Sequence, residues 1–175
     1  MNNTTQTTSV PVIETERLIL RQFKLDDFEI YAQMMADPDI VRYLSGGEPM
    51  TRHQAWRSLA TMAGHWVLHG HGQWALEEKD TGSFVGRAGL FNPEGWPDLE
   101  AGWVLSKGAQ GKGYATEAGK AAIEFAFEHL KANKVISLIQ PDNTPSIKVA
   151  ERIGETYESE IELFGKHALV YSIYK

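Results

Sequence analysis

Residues 104–118 constrain this chain more than any other stretch. They read Val104-Leu105-Ser106-Lys107-Gly108-Ala109-Gln110-Gly111-Lys112-Gly113-Tyr114-Ala115-Thr116-Glu117-Ala118. An apolar strand ends, a loop with three glycines follows, and a long amphipathic helix begins. The glycines leave backbone N–H groups uncovered by side chains. The helix N-terminus adds unpaired donors and a positive dipole end. Together they form a site for an anion, a phosphate group above all.

Two familiar phosphate loops fail on spacing. A P-loop needs Gly, four residues, then Gly-Lys-Ser/Thr. Here Gly111-Lys112 is followed by Gly113, and Ser106 stands where the first glycine belongs. A G-x-G-x-x-G loop started at Gly111 has Thr116 at its third glycine position. An ATPase reading therefore has no support.

Around the loop, apolar periodicity and breaker residues set the element order. Residues 15–23 read as a first strand. Leu25-Asp26-Asp27 offers N-cap carboxylates for a helix to about Ala36, with Phe28, Tyr31 and Met35 on one face. Asp37-Pro38 stops it, and Ile40 to Leu44 add a further short turn. Thr51-Arg52-His53-Gln54 has capping-box form and starts a helix to about Leu68. Its predicted apolar face is Trp56, Leu59, Ala60, Ala63 and Val67. Strands follow at 73–78, 83–90 and 99–105. Beyond the loop come a helix over 114–130, a strand over 134–139, a helix from Asn143 to Gly154, and a hairpin of 156–163 with 166–174. Glu117, Lys120, Glu124, Glu128 and Lys131 keep a 3–4 spacing that predicts a solvent stripe. This order implies an α/β (α+β) fold with a mixed, mainly antiparallel sheet flanked by helices, not a doubly wound one. A flexible tail is expected over residues 1–12 and one domain over 13–175.

Gln110-x-x-Gly113-x-Ala115 resembles the Q/R-x-x-G-x-G/A loop of the GCN5-related N-acetyltransferases. The resemblance extends over about residues 12–174. The opening Thr15-Glu16-Arg17-Leu18-Ile19-Leu20-Arg21 and Asp37-Pro38 are similar to the ribosomal-protein N-terminal acetyltransferase branch. The resemblance implies the acyl-CoA N-acyltransferase fold and acetyl transfer from acetyl-coenzyme A, used as co-substrate without a metal. The acceptor is then a protein N-terminus or a small amine. By the same resemblance, the backbone of Gln110, Gly111, Lys112, Gly113, Tyr114, Ala115 and Thr116 holds the cofactor's pyrophosphate. Trp103, Val104 and Leu105 pair with the pantetheine arm, and Asn143 of Asn143-x-x-Ser146 hydrogen-bonds it. Lys107 and Lys112 are close enough in sequence to assist with phosphate charge.

Acetyl transfer needs a held cofactor, a neutral attacking amine, a donor to the oxyanion and stabilisation of the departing thiolate. Glu100, in Glu100-Ala101-Gly102-Trp103, which is similar to the family's E-x-G-Y/W on the strand before the loop, is the candidate base. It is otherwise an ammonium binder or a solvated glutamate near a strand end. Alternation puts Glu100, Gly102 and Val104 on one face. Many relatives carry a tyrosine seven residues after the asparagine as proton donor to the thiolate, and here that position is Ala150. Ser146 is the substitute, as an acid or only as a hydrogen-bond donor to the sulfur. Asn143 also reads as a plain N-cap, and residues 103–105 as core strand. A non-catalytic module that binds acetyl-coenzyme A is the alternative from another class. It would need the glycine loop and Asn143 but no base.

Composition narrows the remaining classes. No cysteine is present, which excludes thiolate zinc sites and cysteine nucleophiles. A net charge of −6 argues against nucleic acid as the main partner. No stretch has the length of a membrane span, and the polar N-terminus lacks signal-peptide form, so a cytoplasmic monomer or homodimer is expected. His65, His69 and His71 invite a metal reading, but no H-E-x-x-H pattern accompanies them, and none is expected. Trp66 and Trp74 read as core, and Trp96, in a loop, as a pocket residue.

Overall fold

The computed structural model describes residues 9–44 and 46–175. Residues 1–8 of the expected tail, and Ser45 of the loop at 45–49, lie outside them. The elements are β1 (Ile13–Glu14), β2 (Leu18–Arg21), α1 (Phe28–Ala36), α2 (Pro38–Val41), α3 (Arg52–His69), β3 (Gln73–Glu78), β4 (Ser83–Phe91), β5 (Glu100–Leu105), α4 (Tyr114–Glu128), β6 (Lys134–Ile139), α5 (Thr144–Ile153), β7 (Thr156–Leu163) and β8 (Lys166–Tyr174). One eight-stranded sheet runs in the order β1-β2-β3-β4-β5-β6-β8-β7. Every neighbouring pair is antiparallel except β5–β6, which is parallel. The mixed, mainly antiparallel sheet expected from the sequence is thus the observed one.

Alternation along the strands divides the core. Leu18, Leu20, Trp74, Leu76, Ala101 and Leu105 pack under α4, whose Ala115, Ala118, Ala122 and Ala126 permit close approach. Ala75, Phe84 and Val104 meet Tyr31, Met35, Val41, Ala55 and Leu59 of α1–α3 on the other face. The chain is anchored ahead of the expected boundary at residue 12. Val10 is buried, and the Pro11 carbonyl accepts from Trp74 Nε1 at 2.8 Å.

Four local expectations are corrected. The first strand is broken into β1 and β2 by a turn in which Thr15 N–H donates to Leu18 O at 2.9 Å. Glu117 takes part: it accepts from Thr15 Oγ1 at 2.6 Å and from Arg17 N and Nε at 2.7 and 2.8 Å. It therefore leaves the predicted solvent stripe, because a partner about a hundred residues away captures it. The buried face of α3 is Ala55, Leu59, Met62, His65 and Trp66, while Trp56 and Val67 are exposed. The capping box of Thr51 and Gln54 fixes the start of α3 as expected. Trp66 must reach Trp74, at 4.8 Å between ring centroids, and donate to Gln73 O at 2.9 Å, and this contact sets the helix's rotation. Finally, Leu25–Asp27 form a 3₁₀ turn ahead of α1.

Asp27 is buried and accepts from both Nη atoms of Arg21 at 2.8 Å. Arg21 also donates through Nε to Glu77 on β3. This one guanidinium ties β2, β3 and the entry to α1 together. Arg21→Met is expected to destabilise the fold by about 3–5 kcal/mol in urea denaturation, because Asp27 would keep a buried, uncompensated charge.

Candidate active site

Where β5 and β6 meet, the sheet opens. Their ladder has one register pair, Glu100 with Ile136, beside a hydrogen bond from Ile136 N–H to Leu99 O at 2.9 Å. On its other edge β5 stays paired with β4 through Leu105. The backbone of Trp103 and Val104 therefore has a free edge toward β6 among the described residues. Past the single pair lies a cleft of about 270 Å³. Its walls include Glu100, Trp103, Val104, Leu138, Asn143 and Ser146. Glu100, Trp103 and Val104, named from the sequence, thus share one cavity with the two side chains at the start of α5, while Leu105 borders the glycine loop instead.

Glu100 faces this cleft. Trp96 Nε1–H donates to its Oε2 at 2.6 Å, so the tryptophan expected to line a pocket holds the carboxylate directly. Burial pushes the Glu100 carboxyl up to about 7, against the opposing pull of the Trp96 N–H, the Leu138 backbone and the Arg87 charge. A carboxylate with that affinity for protons can accept one near neutral pH and release it again.

The glycine loop enters α4 without a cap. Gly111 and Gly113 take φ of +76° and +85°, a region that disfavours side chains. Gly113 stands at the N-cap of α4, and no side chain bonds the first turn. None of the N–H groups from Gly111 to Thr116 donates to another described residue. They border a second cleft of about 400 Å³, shared with Thr144, Pro145, Lys148, Val149 and Arg152. An uncapped helix start beside two cations fits a diphosphate.

The cations are not those named from the sequence. Lys107 binds Asp37 and Asp39 at 2.9 and 2.8 Å, and Lys112 binds Glu78 at 3.3 Å. Both are engaged elsewhere, and Lys148 and Arg152 on α5 face the loop instead. Gln110 and Tyr114 also turn their side chains inward: Gln110 Nε2 donates to Leu105 O at 3.2 Å, and the Tyr114 hydroxyl bonds Glu78. Only their backbones remain for a ligand. Asn143 does act as an N-cap, accepting from Ser146 N–H at 3.3 Å, and both residues still line the main cleft.

Trp66 and Trp74 are buried core, as expected. His65, His69 and His71 come together, with candidate ligand atoms within 4.8 Å of one another. His65 is bound on both ring nitrogens: Nδ1 lies 2.8 Å from His71 O, and Nε2 accepts from Asn92 N–H at 3.3 Å. Burial, followed by the charge of His65, pushes His71 down to about 4.

Glu155 is the group that sequence reasoning passed over. It is 2 % exposed, and Oε1 lies 3.0 Å from Ser137 Oγ. Ser137 has a single hydroxyl proton, and Ala101 O lies 2.8 Å from the same oxygen. Both contacts are satisfied together when Glu155 carries the proton. Burial pushes its carboxyl up to about 8, opposed by the Ser137 hydroxyl and reinforced by the Glu100 charge. A second protonatable carboxyl thus sits behind the strand that walls the cleft. Its only sequence trace is a glutamate directly after the helix-ending Gly154.

Comparison with known proteins agrees with this architecture. The family model described as acetyltransferase (GNAT) domain matches residues 17–156. The chain is 32 % identical to the uncharacterized N-acetyltransferase p20 of Bacillus licheniformis, over 80 % of this chain and 79 % of that one. It superposes with a TM-score of 0.86 on the crystal structure of an acetyltransferase from Agrobacterium tumefaciens str. C58, at 33 % identity and covering 95 % and 96 % of the two chains. RimL, the ribosomal L7/L12 alpha-N-protein acetyltransferase solved with coenzyme A, shares the fold at a TM-score of 0.78 and 15 % identity, over 94 % and 98 % of the chains. The chain belongs to the GNAT acetyltransferase family, and it is an acetyltransferase.

The raised carboxyl of Glu155 carries a stability signature. The native state holds a proton that the unfolded chain releases above its ordinary value of 4.5. Stability should therefore fall as pH rises from that value to about 8, with a slope of up to about 1.4 kcal/mol per pH unit, and level off above. Glu155→Gln should remove its share of this slope in urea denaturation run across pH 5–9, leaving the share that Glu100, raised to about 7, contributes below that pH.

Proposed function

We propose that this acetyltransferase moves an acetyl group from acetyl-coenzyme A to a primary amine, with Glu100 as the base. The carrying observation is Glu100 itself: a carboxylate facing the cleft beside the free edge of β5, with an affinity for protons near neutrality. The six free N–H groups of residues 111–116, with Lys148 and Arg152, support diphosphate binding in the adjoining cleft. The free edge of Trp103 and Val104 supports strand-like pairing with an extended arm. RimL holds coenzyme A on the same fold, which agrees with this reading.

In the proposed reaction the amine nitrogen bonds to the thioester carbonyl carbon, the carbon–sulfur bond breaks, and coenzyme A leaves as a thiolate that takes a proton from solvent, while the proton collected by Glu100 returns to solvent. Glu100 takes the proton the amine loses, directly or through a water. Trp96 N–H fixes the carboxylate and prevents it from swinging out of the cleft. Ser146, across the cleft, supplies a hydroxyl for the departing sulfur. A module that only bound acetyl-coenzyme A would have no use for a carboxylate so held.

Thiol release with a panel of amines tests the proposal. Glu100→Gln should lower kcat/KM by about 10²–10⁴-fold while coenzyme A affinity, read by calorimetry, stays within about twofold. Turnover equal to wild type would remove Glu100 from the chemistry. The wild-type kcat should fall on the acid side with an apparent pKa near 7, since the base must be ionised to act. Lys148→Ala combined with Arg152→Ala should weaken coenzyme A binding by about tenfold or more, leaving the pH profile of kcat in place.

A further inference from the structure

The register of β4 against β5 lines up Arg87 with Val104, Gly89 with Gly102, and Phe91 with Glu100. Alternation puts Arg87, Gly89 and Phe91 on the same face as Val104, Gly102 and Glu100. A pair of glycines therefore lies between the arginine and the carboxylate, and the side-chain amide of Gln73, reaching over from β3, is the group that covers them. A Cβ at Gly102 would stand 3.4 Å from Gln73 Nε2 and 3.9 Å from Glu100 Oε1, so polar atoms rim this hollow. Positions 104 and 100 are roughly 13 Å apart along a strand. Arg87 and Glu100 line the same cleft of about 270 Å³, which has room for a small acceptor.

Arg87 is held and yet incompletely used. Its Nη1 donates to Gln73 Oε1 at 2.9 Å, and Gln73 is fixed in turn by donation from Nε2 to Gly89 O at 3.1 Å. Arg87 Nε is buried with no hydrogen-bond partner. A buried guanidinium N–H without an acceptor is costly and calls for one. The cleft holds a single carboxylate among its described lining residues, Glu100, against Arg87 and Lys166. This local excess of positive charge opposes the net charge of −6 on the whole chain. Polycationic amines would meet no second anionic group here.

We propose that the acceptor is an amine carrying a carboxylate a few bonds away, and that Arg87 binds that carboxylate while Glu100 receives the amine. This rests on the proposed acetyl transfer. Trp96, Phe91 and Phe164 form an aromatic wall for the body of the acceptor, with ring centroids 5.6 and 5.8 Å apart along the row. Arg87 is a specificity residue in this scheme: it positions the acceptor and exchanges no proton with it.

The test compares the twenty L-amino acids, β-alanine and 4-aminobutyrate with the same compounds as carboxamides, alongside tyramine, spermidine and short peptides, by thiol release. For at least one acid–amide pair, wild type should favour the acid in kcat/KM by about 100-fold, the scale of a charge-assisted bidentate contact. Arg87→Gln should bring that ratio near 1, and Arg87→Lys should restore part of it. A role in folding alone would lower both members of the pair together and leave their ratio intact, which would overturn the proposal. Acetylation of amides, tyramine or peptides as good as that of the acids in wild type would also overturn it, while acetyl transfer itself stood. The wild-type comparison decides even if the variants do not fold. If no amine is acetylated and calorimetry detects no acetyl-coenzyme A binding, the underlying reading falls and this one falls with it.

Discussion

The single register pair between β5 and β6 is the constraint on which the rest of the site depends. Parallel strands leave their connection to a crossover, here α4, and the loop entering α4 must leave the C-terminal end of β5. The sheet on both sides is antiparallel and fully laddered, so it is stiff where it flanks the opening. The opening therefore has fixed edges: backbone groups of β5 on one side, the start of α5 on the other, and Glu100 at its apex. A carboxylate at that apex is pressed between strands and loses much of its hydration. This shifts its proton affinity into the range where exchange is useful.

The two clefts divide the work by chemistry. The one beneath the glycine loop presents backbone dipoles and cations, and suits a charged, sequence-independent group such as a diphosphate. The one between the strands presents an aromatic wall, a carboxylate and an arginine, and suits a shaped organic acceptor. β5 joins them, since Leu105 borders the first cleft and Glu100 the second. A strand of six residues thus sets the distance between the two clefts.

Much of this was legible in the chain. Gly111 and Gly113 could be read as backbone donors because glycines ahead of an amphipathic helix have few other uses. Glu100 could be read because Glu100-Ala101-Gly102-Trp103 resembles the family's E-x-G-Y/W on the strand before the loop. The capping box at Thr51 and the breakers at Asp37-Pro38 and Gly154 fixed element ends by local rules that tertiary packing did not override. The rotation of α3 was missed because its helix carries apolar residues on more than one face. Only contact with Trp74 and Gln73 chooses among them.

Sequence alone determined the element order, the naked loop and the residue types available for acid–base work, since these follow from periodicity and local backbone preference. Tertiary structure decided which charges are free. Lys107 and Lys112 look like phosphate ligands until Asp37, Asp39 and Glu78 are seen to hold them. Arg87, Lys148 and Arg152 look like ordinary charged residues until the sheet and α5 bring them to the clefts, and Glu155 until burial beside Ser137 takes it out of water. Ion pairing and desolvation depend on neighbours far apart in the chain, and spacing along the sequence carries no record of them.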